Sequence, residues 1–406
     1  MKSVTAIDYD PLAPLVQADP YPFYAALRRG DPVHYVESLD AYAVSRHADV
    51  RHVMHDYTAF SSEAMAQLVA RPAEYAANAF GMDDVGPRPV SIVGTDGQTH
   101  TRLRLIVNRG FTPRRMAAIE QDVRAIAASY VERLVANGEG DLMAGLAVPF
   151  PTVVIAALLG VDPDRREHFR RWSEHMVLAV FEPTDAEQQQ AIACSGREMA
   201  EWLDAAAAER TDGLGDDLIS VLLRAELEGG ALDHEELRAF VFTLLVAGSI
   251  TTAYLIGNAA MTLAQDAHLL SRARLDPAII PGIVEESLRF DSPTQLMFRT
   301  ATTPTEVAGT TIPKGATVLP LIGSANRDEH AFPEPDRFDP DRNTLDHISF
   351  GHGVHFCLGA ALARLEARVA LEELVARSSR LDQAGDVARV SSVVFRGPTC
   401  LPLRFT

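Results

Sequence analysis

The chain has 406 residues, of which 47% are apolar, and its 55 acidic side chains outnumber 37 basic ones for a net charge of −18. That is core material for one large domain or two to three average ones, with a charge balance that argues against nucleic acid as a partner. Three widely spaced cysteines (Cys194, Cys357 and Cys400) imply no disulfide framework, and the opening ten residues have no apolar run and no cleavage site, so the chain reads as cytoplasmic.

In chain order, Asp19-Pro20-Tyr21-Pro22 is extended or turned by its prolines. Phe23–Arg29 and Ala48–His55 predict short helices, with brief strands at Val33–Val36 and Tyr42–Val44 between them. Ser61 to Gly94 has weak periodicity and is long for a plain connection. Asp96 is a candidate N-cap for the helix that follows, in which His100 and Arg104, four apart, share a face. Such a pair suits either a solvated basic face or two bound anionic groups. Arg109, Arg114 and Arg115 add a local basic patch. Helices are predicted at Met116–Asn137, Val148–Leu159, Arg165–Val180 and Ala186–Ala208, and another short one begins at Asp217.

A long helix starts near Asp233, and from Ala239 to Gln265 it carries no charge. That length passes the test for a membrane span. Gly248, Ser249, Thr251, Thr252 and Asn258 interrupt it and no basic cluster flanks it, so the expectation is no membrane but a helix through the middle of a large core. Next come Glu286-x-x-Arg289 on a helix and a proline-punctuated stretch from Phe332 to Pro340 that holds Arg337. Strands are predicted at Thr305–Gly309 and Ala316–Leu321, and a hairpin over Val387–Phe405 with Val394 and Phe395 near its turn.

Phe350-Gly-His-Gly-Val-His-Phe-Cys-Leu-Gly359 is the most informative stretch. Three glycines around Cys357 make a tight loop, followed by a strong helix pattern over Leu358–Arg377. A thiolate at a helix N-terminus, among free backbone N–H groups, suits an axial ligand to haem iron. It suits zinc poorly, since no second ligand lies at zinc spacing.

The pattern Phe350, Gly353, Cys357, Gly359 resembles the haem loop of the cytochrome P-450 family, with His355 at the family's basic position, and the resemblance covers nearly the whole chain. It implies a mainly α (α+β) fold: one domain over 1–406, a β-rich portion about 30–60 plus 294–321, and a helical core about 97–290 and 358–377. It implies haem b held by Cys357, with His100, Arg104, Arg299, Phe350, Gly351, His355 and Gly359 around it. Glu286, Arg289 and Arg337 match a structural Glu-Arg-Arg cluster. Ala247, Gly248, Thr251 and Thr252 match the oxygen-handling turn of the long helix, where Gly248 leaves room for oxygen and the Thr251 hydroxyl helps deliver protons. The acid usual before that threonine is replaced by Ile250.

The implied activity is a monooxygenase that activates O2 with electrons from a ferredoxin and ferredoxin reductase. It would hydroxylate or epoxidise a hydrophobic small molecule such as a polyketide, terpenoid or steroid. Ile250 leaves oxidative coupling, desaturation or ring formation open, and a haem sensor or carrier is the non-catalytic alternative. Leu244, Ile250, Leu296, Met297, Val394 and Phe395 are the expected pocket, the region around 61–94 its cap, and the protein a monomer.

Overall fold

The computed structural model of the chain describes residues 9–63, 91–181, 185–210, 215–224 and 232–406. The expected cap over the pocket falls largely in 64–90, outside the described residues.

Fourteen described helices dominate: α1 (Pro14–Ala18), α2 (Tyr21–Gly30), α3 (His47–His55), α4 (Gly97–Val107), α5 (Pro113–Ala136), α6 (Pro149–Leu159), α7 (Arg166–Phe181), α8 (Ala186–Glu209), α9 (Leu218–Leu223), α10 (His234–Gln265), α11 (Ala267–Leu275), α12 (Ile280–Phe290), α13 (Ile322–Ala325) and α14 (Ala360–Arg377). Their ends follow local chemistry. Asp217 caps α9 by accepting from Ser220 N–H. Asp233 and Glu236 form a reciprocal capping box at the start of α10. Pro149 opens α6, and Gly160, at φ +79°, closes it where a side chain would strike Asp217 and Arg210. Asp96 stands at the N-cap position of α4, but its carboxylate does not cap the helix; it is committed elsewhere, as described below.

The β portion is built from β1 (Val33–Val36), β2 (Ala41–Val44), β3 (Phe60–Ser61), β4 (Glu139–Asp141), β5 (Arg299–Ala301), β6 (Thr305–Val307), β7 (Thr310–Ile312), β8 (Thr317–Pro320), β9 (Leu381–Gln383), β10 (Ala388–Arg389), β11 (Pro398–Cys400) and β12 (Pro402–Phe405). The main sheet has the order β1-β2-β8-β5-β3, antiparallel except that β2 and β8 run parallel. Both faces are covered. Ala41, Ala43 and Leu319 pack with Tyr24 and Leu27 of α2, while Val44 and Val318 pack with Val50, Val53 and Met54 of α3. The smaller pairings are β6–β7, β4-β12-β9 and the C-terminal hairpin β10–β11.

The 32-residue α10 is about 48 Å long at 1.5 Å per residue. It packs against α6, α7, α12 and α14 in the largest core cluster. Its uncharged length is thus spent on core packing: 61% of its most apolar window is buried inside the protein.

Candidate active site

Cys357 lies in a loop closed by its own backbone and pressed from outside by α3. Phe350 O accepts Cys357 N–H at 2.8 Å, closing the loop. At Gly353, φ is +77° and an added Cβ would stand 3.0 Å from the Cα of His55 and 3.1 Å from the carbonyl oxygen of Met54, so the end of α3 presses directly on glycine backbone. The helix expected from Leu358 starts at Ala360, with Gly359 as N-cap. Cys357 is reached by solvent, yet protein crowds its thiol. Burial pushes its thiol pKa up; the Gly359 N–H and the positive charges of Arg104 and Arg364 act against that rise.

Around this loop the structure gathers His100 and Arg104 from α4, Arg299 from β5, and His355. The rings of His100 and His355 lie 4.1 Å apart, centre to centre. Burial, then His355 and Arg104, push the His100 pKa down to about 4. Its Nε2 is buried with no hydrogen-bond partner. Arg299 is 2% exposed and donates to the carbonyl of Phe298 at 2.8 Å, with no carboxylate in ion-pair reach among the described residues. Burial draws its pKa down to about 10, with Asp96 opposing. Arg104 likewise forms no ion pair among the described residues, and burial lowers its pKa. The nearby acid, Asp96, is engaged: it accepts from Ser61 Oγ at 2.7 Å and Ser62 N–H at 2.8 Å, and stands 2.8 Å from His355 Nε2. Burying uncompensated guanidinium charge is costly. A donor-rich, carboxylate-poor wall of this kind fits a group that brings its own anionic oxygens. Gly359 agrees with that fit, because its φ of −82° suits any residue and no atom stands within 4 Å of an added Cβ. The fold leaves space there for a flat group to come close. Among the described residues no His, Cys, Asp or Glu cluster could hold a free metal ion.

On α10, Ala247 is exposed and Gly248, Ile250, Thr251 and Tyr254 are half-buried in a helix that is otherwise largely buried here. These residues form the accessible stripe. The Thr251 hydroxyl donates to the Ala247 carbonyl at 2.7 Å. Two expectations change here. Thr252 is buried, 3% exposed, off the stripe. At Gly248, the direction a side chain would take is filled by Ile155 Cδ1 of α6 at 3.0 Å, so glycine there serves helix packing, and Ala247 presents the open surface of this turn.

The pocket residues divide. Ile250 is on the stripe, and the Phe395 ring stands 6.4 Å from that of Tyr254, bringing the C-terminal hairpin to α10. Met297 and Val394 are half-buried, and the Gln295 N–H donates to the Val394 carbonyl at 2.7 Å, joining the two segments. Leu296 is fully buried among Tyr24, Phe298 and Leu319, and Leu244 is buried in the main core, so neither lines an open surface.

The Glu286 cluster is present with one different member. Arg289 donates to Glu286 twice at 2.7 Å, both side chains fully buried. Arg337 is 57% exposed and pairs with Asp339 and Glu334. The second arginine on Glu286 is Arg342, at 3.2 Å, which also donates to the carbonyls of Glu334 and Arg337. The expectation for Arg337 is therefore corrected. Its carbonyl accepts from Arg289, but its side chain lies outside the cluster.

A mainly helical fold with a small β portion and a long central helix, together with a glycine-framed cysteine loop beside a wall of cationic side chains, defines the class of haem-thiolate oxygenases. The comparisons make this specific. The cytochrome P-450 family model matches residues 279–385. The chain is 41% identical to erythromycin C-12 hydroxylase of Saccharopolyspora erythraea, over 90% of this chain and 88% of the relative. It is 37% identical to 6-deoxyerythronolide B hydroxylase of the same organism, over 95% and 96%. The structure of CYP109Q5 from Chondromyces apiculatus superposes with a TM-score of 0.89 at 39% identity, covering 99% of both chains. CYP109E1 from Bacillus megaterium, solved in complex with testosterone, gives 0.85 at 30% identity, over 96% and 99%. The chain belongs to the bacterial cytochrome P-450 family and is a monooxygenase of that family.

Proposed function

We propose that Cys357 is the axial ligand of haem b, that His100, Arg104, Arg299 and His355 receive its two propionates, and that Phe350, Gly351 and Gly359 shape the loop against it. The observation that carries this is the surplus of polar side chains with no anionic partner among the described residues, above all the buried Arg299 and the orphaned His100 Nε2. When bound, the haem supplies oxygen activation, and a thiolate ligand favours O–O cleavage.

The protein's own contribution is placement. The loop keeps Cys357 where the Gly359 N–H supports the thiolate. The stripe Ala247, Ile250 and Thr251 forms the opposite wall, facing oxygen and substrate. With its proton given to Ala247 O, the Thr251 hydroxyl keeps lone pairs that accept from a water or a substrate hydroxyl. Ile250 supplies no proton, so protons reach Thr251 by another route, including a polar group of the substrate itself. Ile250 is also the observation that favours a second reading, in which the same site couples, desaturates or closes rings.

Electrons come from a ferredoxin through its reductase, the protein acting as a cytoplasmic monomer. Arg109 and Arg114 are exposed and suit an acidic partner, whereas Arg115 is turned toward the carbonyl of Asp216 at 2.6 Å. The substrate is a hydrophobic polyketide, terpenoid or steroid, hydroxylated or epoxidised. This is supported by the apolar side chains of Ile250, Met297, Val394 and Phe395 and by the relatives named for erythromycin and 6-deoxyerythronolide B hydroxylation. The test is a titration of ferric protein with macrolactones and steroids, following the Soret band, then turnover with ferredoxin and reductase. A saturable high-spin shift and one oxygen gained by the product are expected. Oxygen consumption without organic product across the panel would favour the sensor or carrier.

A further inference from the structure

Next to Glu286 on α12 stands a second carboxylate with partners of its own. Arg364 of α14 donates to Glu285 through Nε, 2.6 Å from Oε1, and through Nη2, 3.0 Å from Oε2, as a bidentate pair. His347 Nε2 lies 3.0 Å from the same Oε2. The Ser349 backbone N–H donates to His347 Nδ1 at 3.2 Å, so Nδ1 carries no proton and Nε2 is the donor to Glu285. Three segments (α12, α14 and the irregular chain entering the cysteine loop) meet at this one carboxylate. Although burial works the other way, His347 and Arg364 hold its pKa down at about 2.

Arg364 does a second thing. Its guanidinium carbon lies 4.4 Å from the centre of the Phe350 ring. Phe350 is the residue whose carbonyl accepts the Cys357 N–H. One guanidinium therefore stacks on the ring of the residue whose carbonyl closes the loop around Cys357.

We infer that Glu285 and Arg364 are a positioning pair for Cys357, separate from the Glu286–Arg289–Arg342 cluster: Arg364 holds the loop through Phe350 and its charge tempers electron donation by the thiolate, while Glu285 aims Arg364 and partly cancels that charge. This rests on the reading of Cys357 as the haem ligand. Charge decides the signs. Without Arg364 the thiolate is more electron-rich and the ferric state is favoured, so the haem potential falls. With Glu285 neutralised, Arg364 acts uncompensated and the potential rises. A role limited to packing predicts no such opposition, because both truncations loosen the same loop.

The test measures the ferric/ferrous potential and the ferrous carbon monoxide spectrum of the holoenzyme in wild type, E285Q, R364Q and R364K. Because Arg364 is 38% exposed and screened by solvent, modest effects are expected. E285Q should raise and R364Q lower the one-electron equilibrium constant by about threefold to tenfold, tenfold being 59 mV. R364K, which keeps the charge but not the fork or the stack, should keep the wild-type potential and melt at lower temperature. Shifts in one common direction, or none at matched haem content, would overturn the inference. Should R364Q lose its haem, E285Q decides: an upward shift supports the pair and an unmoved potential rejects it. A wild-type carbon monoxide spectrum without thiolate character would sink the ligand assignment itself, whereas a thiolate-type spectrum with unmoved variants sinks only the pair.

Discussion

Arg342 Nε stands 3.2 Å from Glu286 Oε1, on a carboxylate that already receives two hydrogen bonds from Arg289 and one from the Asp339 N–H at 2.8 Å. Both arginines also bind carbonyls of the chain between Asn326 and Arg337. The cluster thereby pins irregular backbone that has few ladder hydrogen bonds of its own.

Arg342→Leu should therefore destabilise the holoenzyme by about 1.5–3 kcal/mol, the worth of charge-assisted hydrogen bonds, since Arg289 still compensates Glu286. Arg337→Ala should stay within about 0.5 kcal/mol, as for other exposed positions. Thermal unfolding of the two variants with haem retention checks this. Equal losses would return Arg337 to the cluster.

Gly353 and Gly359 offer a second contrast within one loop. Gly353→Ala meets a positive φ and the backbone of α3, so it should cost more than the roughly 1–2 kcal/mol of a left-handed residue alone. Gly359→Ala meets neither obstacle in the chain. It should leave the melting temperature of the haem-stripped chain unchanged yet weaken haem retention, if its place is to let the haem approach. Unchanged haem retention in Gly359→Ala would end that role.

Much of the site was legible because its decisive part is contiguous. The loop from Phe350 to Gly359 carries its glycines, its cysteine and the following helix within one short run, and local chemistry settles their conformation. Arg337 and Arg342 lie five residues apart in proline-broken chain with no periodicity, and only the path of the folded backbone decides which one reaches Glu286. Leu296 and Met297 present the same problem. Outside a regular strand, no alternation says which neighbour faces inward, and the cluster around Tyr24 takes Leu296. Asp96 has the position of a helix cap, but Ser61, Ser62 and His355 claim its oxygens through contacts distant in sequence. Nothing in the sequence singles out Glu285 and Arg364, because a Glu and an Arg on separate helices are ordinary until the fold brings them together at Phe350.

Glu366, in the second turn of α14, is 1% exposed and has no cation in ion-pair reach among the described residues. Burial raises its pKa well above the ordinary carboxylate range. The native state then keeps a proton that the unfolded chain gives up, so wild-type stability should fall as pH rises from the usual carboxylate range toward the raised value. Glu366→Gln keeps the shape without that ionisation. Its melting temperature relative to wild type should climb with pH over the same window, read by thermal unfolding at a series of pH values. A constant difference across pH would mean that Glu366 is charged in the native state.

Ile250 occupies the accessible turn beside Thr251, where an acid would feed protons to the hydroxyl. An aspartate there would stand half-buried next to a hydroxyl whose own proton is held by Ala247 O, so its donated proton would meet a free lone pair. Two outcomes separate the proton routes. If substrate polar groups supply the protons in the wild type, Ile250→Asp should raise turnover most for substrates lacking a hydroxyl near the reacting carbon, with less peroxide released per electron consumed. Substrates that carry the hydroxyl should change little. If instead water already supplies the protons, both kinds of substrate should respond alike. The measurement is product formed and peroxide released per reductant oxidised, for matched hydroxyl and deoxy substrates. Identical coupling in wild type and variant for both would remove residue 250 from proton delivery.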